Sequence, residues 1–302
     1  MYNLIIDIFC GIVLVEIIKE ELGDYLKNRI DKQLVIMNLA PSRTKAKELI
    51  ENNLVVVNGT TINKCNIVID ENDNINILEN DKLKYVSRGG LKLEKAINEF
   101  NIDMNNLVVM DIGSSTGGFT DCCLKHGTKR IIAVDVGTDV MVETLKSDAR
   151  VELYENTDFR KLDSKYFQNI DFFVCDVSFI SLKLIIKKLL EENVIIDGVF
   201  LIKPQFECGK DIAKKYKGVI LDESIHENIL SDMISYFTSN RVYVKGLTVS
   251  PVKGGDGNIE YLVYLSTKVN ENVIINIEEI VKYAFSKKWG GKCGKFKNKW
   301  CV

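Results

Sequence analysis

The chain has 302 residues, of which 46% are hydrophobic, so it is long enough for one catalytic domain with a large core plus a smaller module. Its formal net charge is -2, but the N-terminal part is basic. Residues 27–64 contain seven basic and three acidic residues, and residues 82–95 contain five basic residues and one acidic residue. Such a distribution favours a polyanion-binding module attached to a domain with another role. The eight cysteines are scattered without CxxC spacing, which argues against a disulfide framework or a zinc site and favours reduced thiols in a cytoplasmic protein.

Residues 1–26 are interpreted as an apolar helical extension whose role cannot be read from the sequence. Its apolar run, Ile8 to Val15, is flanked by Asp7 and Glu16, and no Lys or Arg precedes it as a signal peptide would require. The run is also shorter than the roughly 20 apolar residues that span a bilayer. No membrane association is therefore expected.

Residues 27–80 are predicted to form a small α/β domain. Pro41 and Ser42 open a helix as its first turn and cap. The apolar run 54–57, the turn Asn58-Gly59 and Ile62 predict a hairpin, and residues 74–78 predict a third strand. Basic side chains near the start of the second helix would favour phosphate, as would the helix dipole.

The helix sequence 42–50, SRTKAKELI, and the hairpin sequence 55–59, VVVNG, resemble the small RNA-binding domain named after the fourth protein of the small ribosomal subunit. The resemblance implies that this domain binds RNA. The expected RNA contacts are Arg29, Arg43, Lys45, Lys47 and Arg88.

A linker is predicted at residues 81–86, followed by alternating helices and strands in residues 87–268. This alternation predicts a doubly wound, mostly parallel α/β sheet of the Rossmann type, with ligands at the carboxyl ends of its strands. A helix is expected at 140–147. Residues 269–302 are predicted to hold a C-terminal helix and a basic, aromatic tail, which would either contact RNA or be solvated.

The strand 107–112 runs into a glycine-rich turn, and the strand 130–134 ends in Asp135, which together indicate a nucleoside cofactor site. Glycines let the backbone approach a ligand closely, and Asp135 can accept both ribose hydroxyls of an adenosine. The turn lacks the G-x-G-x-x-G spacing of dinucleotide enzymes, and Asp111 would repel a pyrophosphate but favour a cationic ligand. S-adenosylmethionine is therefore the predicted cofactor, bound by residues 113–119: Gly113, Ser114, Ser115, Thr116, Gly117, Gly118 and Phe119.

The sequence after the fourth strand narrows the methyl acceptor. Enzymes that methylate exocyclic base nitrogens usually carry Asn or Asp followed by Pro-Pro and an aromatic residue there, whereas this chain has Asp176-Val177-Ser178-Phe179. Cys175 lacks the context of a pyrimidine C5 nucleophile and is expected to be buried packing. A ribose hydroxyl instead needs a base, and a partly desolvated lysine near a second cation can serve as one.

Two lysines and two acids lie at suitable places in the predicted fold. Lys203 ends an apolar strand and precedes Pro204, so its ammonium should project at the ligand edge of the sheet. Lys92, Asp176 and Glu260 could each be an ordinary surface charge when considered singly.

Five segments together resemble the TlyA family of ribosomal RNA 2'-O-methyltransferases, also called haemolysins, which have an FtsJ-type methyltransferase domain. These segments are residues 87–93, 111–120, 176–181, 201–207 and 257–260. The resemblance implies a catalytic set of Lys92, Asp176, Lys203 and Glu260, with Lys203 as base, Asp176 orienting it near the donor sulfonium, and Lys92 with Glu260 fixing the ribose. It also implies that Asp135 holds the donor ribose and that Asp158 lies near the adenine.

The resulting hypothesis is S-adenosylmethionine-dependent 2'-O-methylation of a ribose, expected to be a cytidine, in 16S or 23S rRNA, without a metal. Two alternatives remain: a membrane-active haemolysin, as the family's other name suggests, and a ribosome assembly factor that binds without catalysis. The sequence does not define the oligomeric state or the modified nucleotide.

Overall fold

The computed structural model describes residues 28–40, 42–51, 53–70, 72–78, 84–287 and 289. The predicted extension at residues 1–26, part of the linker and nearly all of the basic tail lie outside these ranges. The chain divides into two units, Met1–Leu83 and Lys84–Val302.

The first unit packs two helices against small antiparallel sheets. Strand β2 pairs with both β3 and β5, and the turn Asn58-Gly59 joins β2 to β3 with positive φ at both residues, as the hairpin pattern predicts. Its core contains Ile30, Leu34 and Ile50, all fully buried. The elements are β1 (Asn28–Arg29), α1 (Ile30–Ile36), α2 (Arg43–Glu51), β2 (Val55–Val57), β3 (Thr60–Ile62), β4 (Val68–Ile69) and β5 (Ile75–Ile77).

The second unit is built on a seven-stranded sheet with helices on both faces. Its first half contains α3 (Gly89–Glu99), β6 (Val108–Ile112), α4 (Gly118–Lys125), β7 (Arg130–Val134), α5 (Glu143–Lys146), β8 (Val151–Tyr154) and β9 (Phe172–Cys175). Its second half contains α6 (Leu182–Glu191), β10 (Asp197–Ile202), α7 (Pro204–Glu207), α8 (Lys210–Lys215), α9 (Glu223–Ser239), β11 (Tyr243–Val249), β12 (Tyr261–Ser266) and α10 (Ile277–Ser286).

The order of strands creates a crevice in the middle of this sheet. The order is β11-β12-β10-β9-β6-β7-β8, with β12 antiparallel to both β10 and β11. From β6 the chain moves outward to β7 and β8, then crosses back to β9 on the other side of β6. The carboxyl ends of β6 and β9 therefore form a topological switch point, where open α/β sheets bind their ligands. The predicted doubly wound α/β fold is confirmed.

The buried strands explain why this sheet forms. All residues of β9, β10 and β12 are buried, as expected for strands covered on both faces. One core cluster includes Leu182, Leu230 and Phe200, and the other includes Leu93, Cys122 and Leu201, so each face carries its own helices.

The prediction of a helix at 140–147 is wrong for its first three residues. The backbone N–H groups of Asp139 and Val140 donate to the carboxylate of Glu155, at 2.9 and 3.0 Å, and Val142 is extended. Because these donors are satisfied by a side chain, the helix begins only at Glu143.

Candidate active site

Four charged side chains from four separate elements meet at the carboxyl edge of the sheet. Lys92 lies on α3, Asp176 follows β9, Lys203 follows β10 and Glu260 precedes β12. The antiparallel pairing of Ile202 with Tyr261 brings the last two together, because it makes Lys203 and Glu260 neighbours across adjacent strands.

Asp176 connects the two lysines through its two carboxylate oxygens. Lys92 Nζ lies 3.1 Å from Oδ2, and Lys203 Nζ lies 2.6 Å from Oδ1. Lys92 Nζ also lies 2.8 Å from Glu260 Oε2, so the chain of charges runs from Glu260 through Lys92 and Asp176 to Lys203. The structure thus brings together the four residues expected to be catalytic.

Burial and pairing act in opposite directions on these groups. Burial by itself would lower the pKa of Lys92, but the carboxylates of Asp176 and Glu260 outweigh it and raise this pKa. Burial would raise the pKa of Asp176, whereas the ammonium groups of Lys92 and Lys203 hold it below its ordinary value. Asp176 is thus held as a carboxylate and Lys92 as an ammonium.

The turn after β6 is shaped so that only small residues fit. Gly113 has a φ of +82°, and an added Cβ would lie 2.9 Å from the backbone oxygen of Asp176. Gly117 has a φ of +94° and caps α4, while an added Cβ on Gly118 would meet the Ser87 hydroxyl at 2.3 Å. This close-packed turn borders the same crevice as Asp176 and can cradle a ligand there.

The other residues of the predicted cofactor turn differ in exposure. Ser115 and Thr116 are exposed, and Ser115 adopts a positive φ of 48°. Ser114 is buried, and Phe119 packs its side chain into the core beneath α4. Phe119 can therefore face a ligand only through its backbone.

Asp111 carries a buried polar atom that has no partner. Its Oδ2 accepts a hydrogen bond of 2.6 Å from the Thr120 hydroxyl, but its Oδ1 has no hydrogen bond. Burial raises the pKa of Asp111 to about 7; the Thr120 hydrogen bond opposes this rise, and the charge of Asp176 adds to it. A fully buried carboxylate with a free oxygen is suited to a cationic ligand.

The two acids expected near the donor nucleoside lie in different environments. Asp135 accepts backbone N–H groups from Ser115 and Gly137, both at 2.7 Å, so it connects its own strand end to the glycine turn. Asp158 forms a bidentate ion pair with Arg160, at 2.9 and 2.7 Å. Asp135 therefore borders the turn, whereas the described hydrogen bonds of the Asp158 side chain are all with Arg160.

Two residues of this site were not singled out from the sequence. The Ser178 hydroxyl accepts a 2.8 Å hydrogen bond from Lys203 Nζ. Phe179 is 91% exposed with a φ of +64°, and its ring centroid lies 5.1 Å from that of Phe206. Both belong to the segment 176–181 that carries the family resemblance. The positive φ and the exposure of Phe179, however, cannot be predicted from residue types.

The residues expected to contact RNA in the first unit are partly engaged with acids. Arg29 and Arg43 both pair with the fully buried Asp31, at 3.0 and 2.9 Å. Lys45 pairs with Glu48 at 3.1 Å, whereas Lys47 is exposed. In the second unit Arg88 is exposed at the start of α3.

Neither a metal-binding cluster nor a membrane-spanning helix is present among the described residues. Within the described ranges, no group of three or more His, Cys, Asp or Glu side chains could hold a metal ion. Each helix described here is too short or too polar to cross a bilayer.

Comparisons with known proteins identify relatives along most of the chain. The chain is 40% identical to Hemolysin A of Brachyspira hyodysenteriae over 78% of its length and 98% of that protein. It is 34% identical to the 23S rRNA (cytidine-2'-O)-methyltransferase TlyA of Campylobacter jejuni, over 74% of its length and 93% of that protein. A solved structure from Streptococcus thermophilus, described as a hemolysin, is 40% identical with a TM-score of 0.66, covering 86% of this chain and 96% of that one.

The fold and the crevice at its switch point define an α/β methyltransferase. The chain belongs to the FtsJ-like methyltransferase family, whose model matches residues 85–267. Residues 28–75 match the S4 domain. The relationship to the TlyA proteins, inferred above from five segments, is confirmed.

Proposed function

We propose that this protein transfers a methyl group from S-adenosylmethionine to the 2'-hydroxyl of a cytidine ribose in 16S or 23S rRNA. The observation that carries the proposal is the convergence of Lys92, Asp176, Lys203 and Glu260 beside the glycine turn of Gly113. The name of the Campylobacter jejuni relative supports cytidine and 23S rRNA as the target.

The site offers features that fit a sulfonium donor with an amino-acid tail. The glycine turn leaves room for backbone approach, and the unpartnered Oδ1 of Asp111 provides a negative site inside the crevice. Asp135, at the tip of the next strand beside the glycine turn, would hold the donor ribose. When bound, the donor supplies an electrophilic methyl group, whose C–S bond breaks as the new C–O bond forms.

Lys203 is the residue that, in its uncharged amine form, would accept the proton of the ribose hydroxyl. Its Nζ is fixed from two sides, by Asp176 Oδ1 at 2.6 Å and by the Ser178 hydroxyl at 2.8 Å. Such positioning matters because general bases act within hydrogen-bond reach of the proton they remove. Lys92, held as an ammonium by two carboxylates, would donate to the ribose oxygens and orient the sugar.

Phe179 offers a place for the base of the target nucleotide. A ribose inside a stacked helix cannot reach this crevice, so the nucleotide has to be extruded. Phe179, whose ring is exposed, directly follows Ser178, whose hydroxyl contacts Lys203. Stacking on such a ring would compensate for the lost stacking in RNA.

The decisive experiment maps the product. Wild type and Lys203→Met are incubated with methyl-labelled S-adenosylmethionine and ribosomal subunits from cells lacking the gene, and nucleosides are analysed by mass spectrometry. We expect 2'-O-methylcytidine with the wild type alone. A methylated base would contradict ribose transfer, and donor binding without any product would favour the binding-only assembly factor.

Two of the relatives described above carry the name hemolysin, which makes membrane damage the second hypothesis to test. Leakage of dye from liposomes by purified, nuclease-treated protein would support it. Leakage unchanged in Lys203→Met would separate that activity from methyl transfer.

A further inference from the structure

A short lysine-rich segment follows the catalytic edge of the sheet. Residues 209–218, named here the basic loop, contain α8 and carry four lysines against one aspartate: Lys210, Lys214, Lys215 and Lys217, with Asp211. These five side chains are exposed, and α8 contributes no buried residue. Among the described residues, no carboxylate forms an ion pair with any of the four lysines.

The basic loop begins close to the reaction site. Lys203 leads directly into α7, whose Phe206 contacts the exposed ring of Phe179, and Lys210 follows Phe206 by four residues. A chain of four residues reaches at most about 14 Å. Glu207 fixes this end, because its carboxylate accepts hydrogen bonds from the Ser181 hydroxyl and the Leu182 N–H, at 2.6 and 2.7 Å.

The basic loop ends beside the segment that leads through Asn258 and Glu260 into β12. Asn258 is 1% exposed and lies two residues before Glu260. Its Nδ2 donates to the Gly218 oxygen at 2.8 Å, and its Oδ1 accepts from the Ile220 N–H at 3.0 Å. One buried amide therefore fixes the exit of the basic loop relative to Glu260.

This arrangement of like charges favours the binding of an anion. Four ammonium groups within one short exposed segment repel each other, and a helix without buried residues does little for the core. A ribose 2'-hydroxyl in RNA lies beside the phosphates of the same strand. Cations next to the catalytic lysine of a 2'-O-methyltransferase would therefore bind those phosphates. The basic loop supplies cations at that place.

We propose that the basic loop binds the phosphate backbone of the substrate RNA beside the target nucleotide, and that Asn258 is the positioning residue that sets its place relative to Glu260. This inference rests on the proposed function and adds an RNA-contact surface to it. RNA, and not an anionic membrane, is favoured because both ends of the basic loop are fixed to elements of the reaction site.

The first test compares a double variant that lacks two lysines of the basic loop with a control double variant that lacks two lysines elsewhere. Lys214→Ala/Lys217→Ala is compared with Lys129→Ala/Lys165→Ala, which removes the same charge from exposed sites outside the basic loop. Lys129 precedes β7 and so lies at the opposite edge of the sheet from the reaction site. The readouts are the KM for ribosomal subunits at several salt concentrations and the Kd for S-adenosylmethionine.

We expect the basic-loop pair to raise the KM for subunits about tenfold at low salt and to reduce the salt slope by about two. The control pair should change both much less, and the donor Kd should stay the same in each variant. Equal effects of the two pairs, or an unchanged KM in the basic-loop pair, would overturn the proposal.

The second test concerns Asn258. In Asn258→Asp the side chain still accepts from Ile220 N–H but can no longer donate to the Gly218 oxygen. We expect a higher KM for subunits with the donor Kd unchanged, and no further rise when the variant is combined with Lys214→Ala/Lys217→Ala. A fully additive effect would show that Asn258 acts independently of the lysines and would overturn its positioning role.

A binding assay separates failure of this inference from failure of the proposed function. Filter binding measures the contribution of the lysines to rRNA affinity, even if the wild type transfers no methyl group. Binding to vesicles that contain phosphatidylglycerol is measured in parallel, as the test of an anionic membrane. A loss of vesicle binding without a loss of RNA binding in Lys214→Ala/Lys217→Ala would overturn RNA as the partner.

Discussion

Lys203 Nζ lies 2.6 Å from one carboxylate oxygen of Asp176, while the other oxygen of the same carboxylate faces Lys92. A single carboxylate thus holds two lysine side chains apart and fixes each one. Removing one lysine leaves Asp176 paired with the other, so the chemistry of this site can be altered without leaving a buried charge alone.

The first prediction concerns Lys203. Lys203→Met should lower the rate of methyl transfer at least a hundredfold, because general-base catalysis typically contributes that much. The Kd for S-adenosylmethionine should change little, since Lys92 still compensates Asp176. Single-turnover kinetics and calorimetry measure the two quantities, with Lys129→Ala as a control of unchanged rate. Full turnover by Lys203→Met would contradict the assignment of the base.

The second prediction is a pH dependence set by Asp111. Its pKa is raised from the ordinary value of 3.8 to about 7, so the folded protein without donor holds a proton that the unfolded chain has released between these values. Stability without donor should therefore fall as pH rises through this window. A cationic donor favours the carboxylate, so its affinity should weaken up to about tenfold per unit as pH falls below 7.

Calorimetry between pH 5.5 and 8, in buffers of different ionisation enthalpy, measures this proton release. Asp111→Asn should flatten the pH dependence of the donor Kd. The same slope in wild type and Asp111→Asn would assign the proton to another group.

The third prediction concerns the glycine turn. In Gly113→Ala the new Cβ would meet the Asp176 oxygen at 2.9 Å, in a backbone region that alanine disfavours. We expect a loss of roughly 1–3 kcal/mol in unfolding free energy and a large loss of donor affinity. Gly255→Ala, an exposed position with open space around it, should change stability by less than about 0.5 kcal/mol. Denaturant titration and donor calorimetry compare the two variants.

The fourth prediction concerns Phe179. Phe179→Ala should raise the KM for subunits roughly 5- to 150-fold, which corresponds to the 1–3 kcal/mol of one stacked base. The melting temperature should hardly fall, because the side chain is 91% exposed. Phe179→Trp should restore the KM, while Ile195→Ala, at another exposed apolar site, should leave it unchanged. An unaltered KM in Phe179→Ala would exclude a stacking role.

The fifth prediction separates RNA contact from structure in the first unit. Lys47→Ala should weaken rRNA binding and lower its salt slope by about one without changing stability, because Lys47 is exposed. Arg43→Ala should also destabilise the protein, because it leaves the buried Asp31 with Arg29 alone. Filter binding and thermal unfolding distinguish the two variants. Equal destabilisation by both would contradict this division.

The sequence predicts some of this site better than the rest. Asp176 and Lys203 follow apolar strands, so strand polarity alone places them at one edge of a parallel sheet. Lys92 and Glu260 could be assigned only through the family resemblance. The position of Lys92 in the site depends on how α3 packs, and that of Glu260 depends on an antiparallel register between distant segments.

Side-chain competition for backbone groups explains other differences. Glu155 accepts the N–H groups that an earlier start of α5 would have used. Asn258 accepts from a segment nearly forty residues earlier in the chain, at Ile220. Contacts of this kind join positions that no local periodicity relates, so they become visible only in three dimensions.

The register of β10 against β12 also has a consequence for biosynthesis. Tyr261 pairs with Ile202, and this register sets the place of Glu260, which forms an ion pair with Lys92. A nascent chain that has not yet released β12 from the exit tunnel can form the donor crevice between β6 and β9 before Glu260 has paired with Lys92. Translation therefore delivers the four charged groups in a fixed order, and Glu260, directly before β12, is the last to be made.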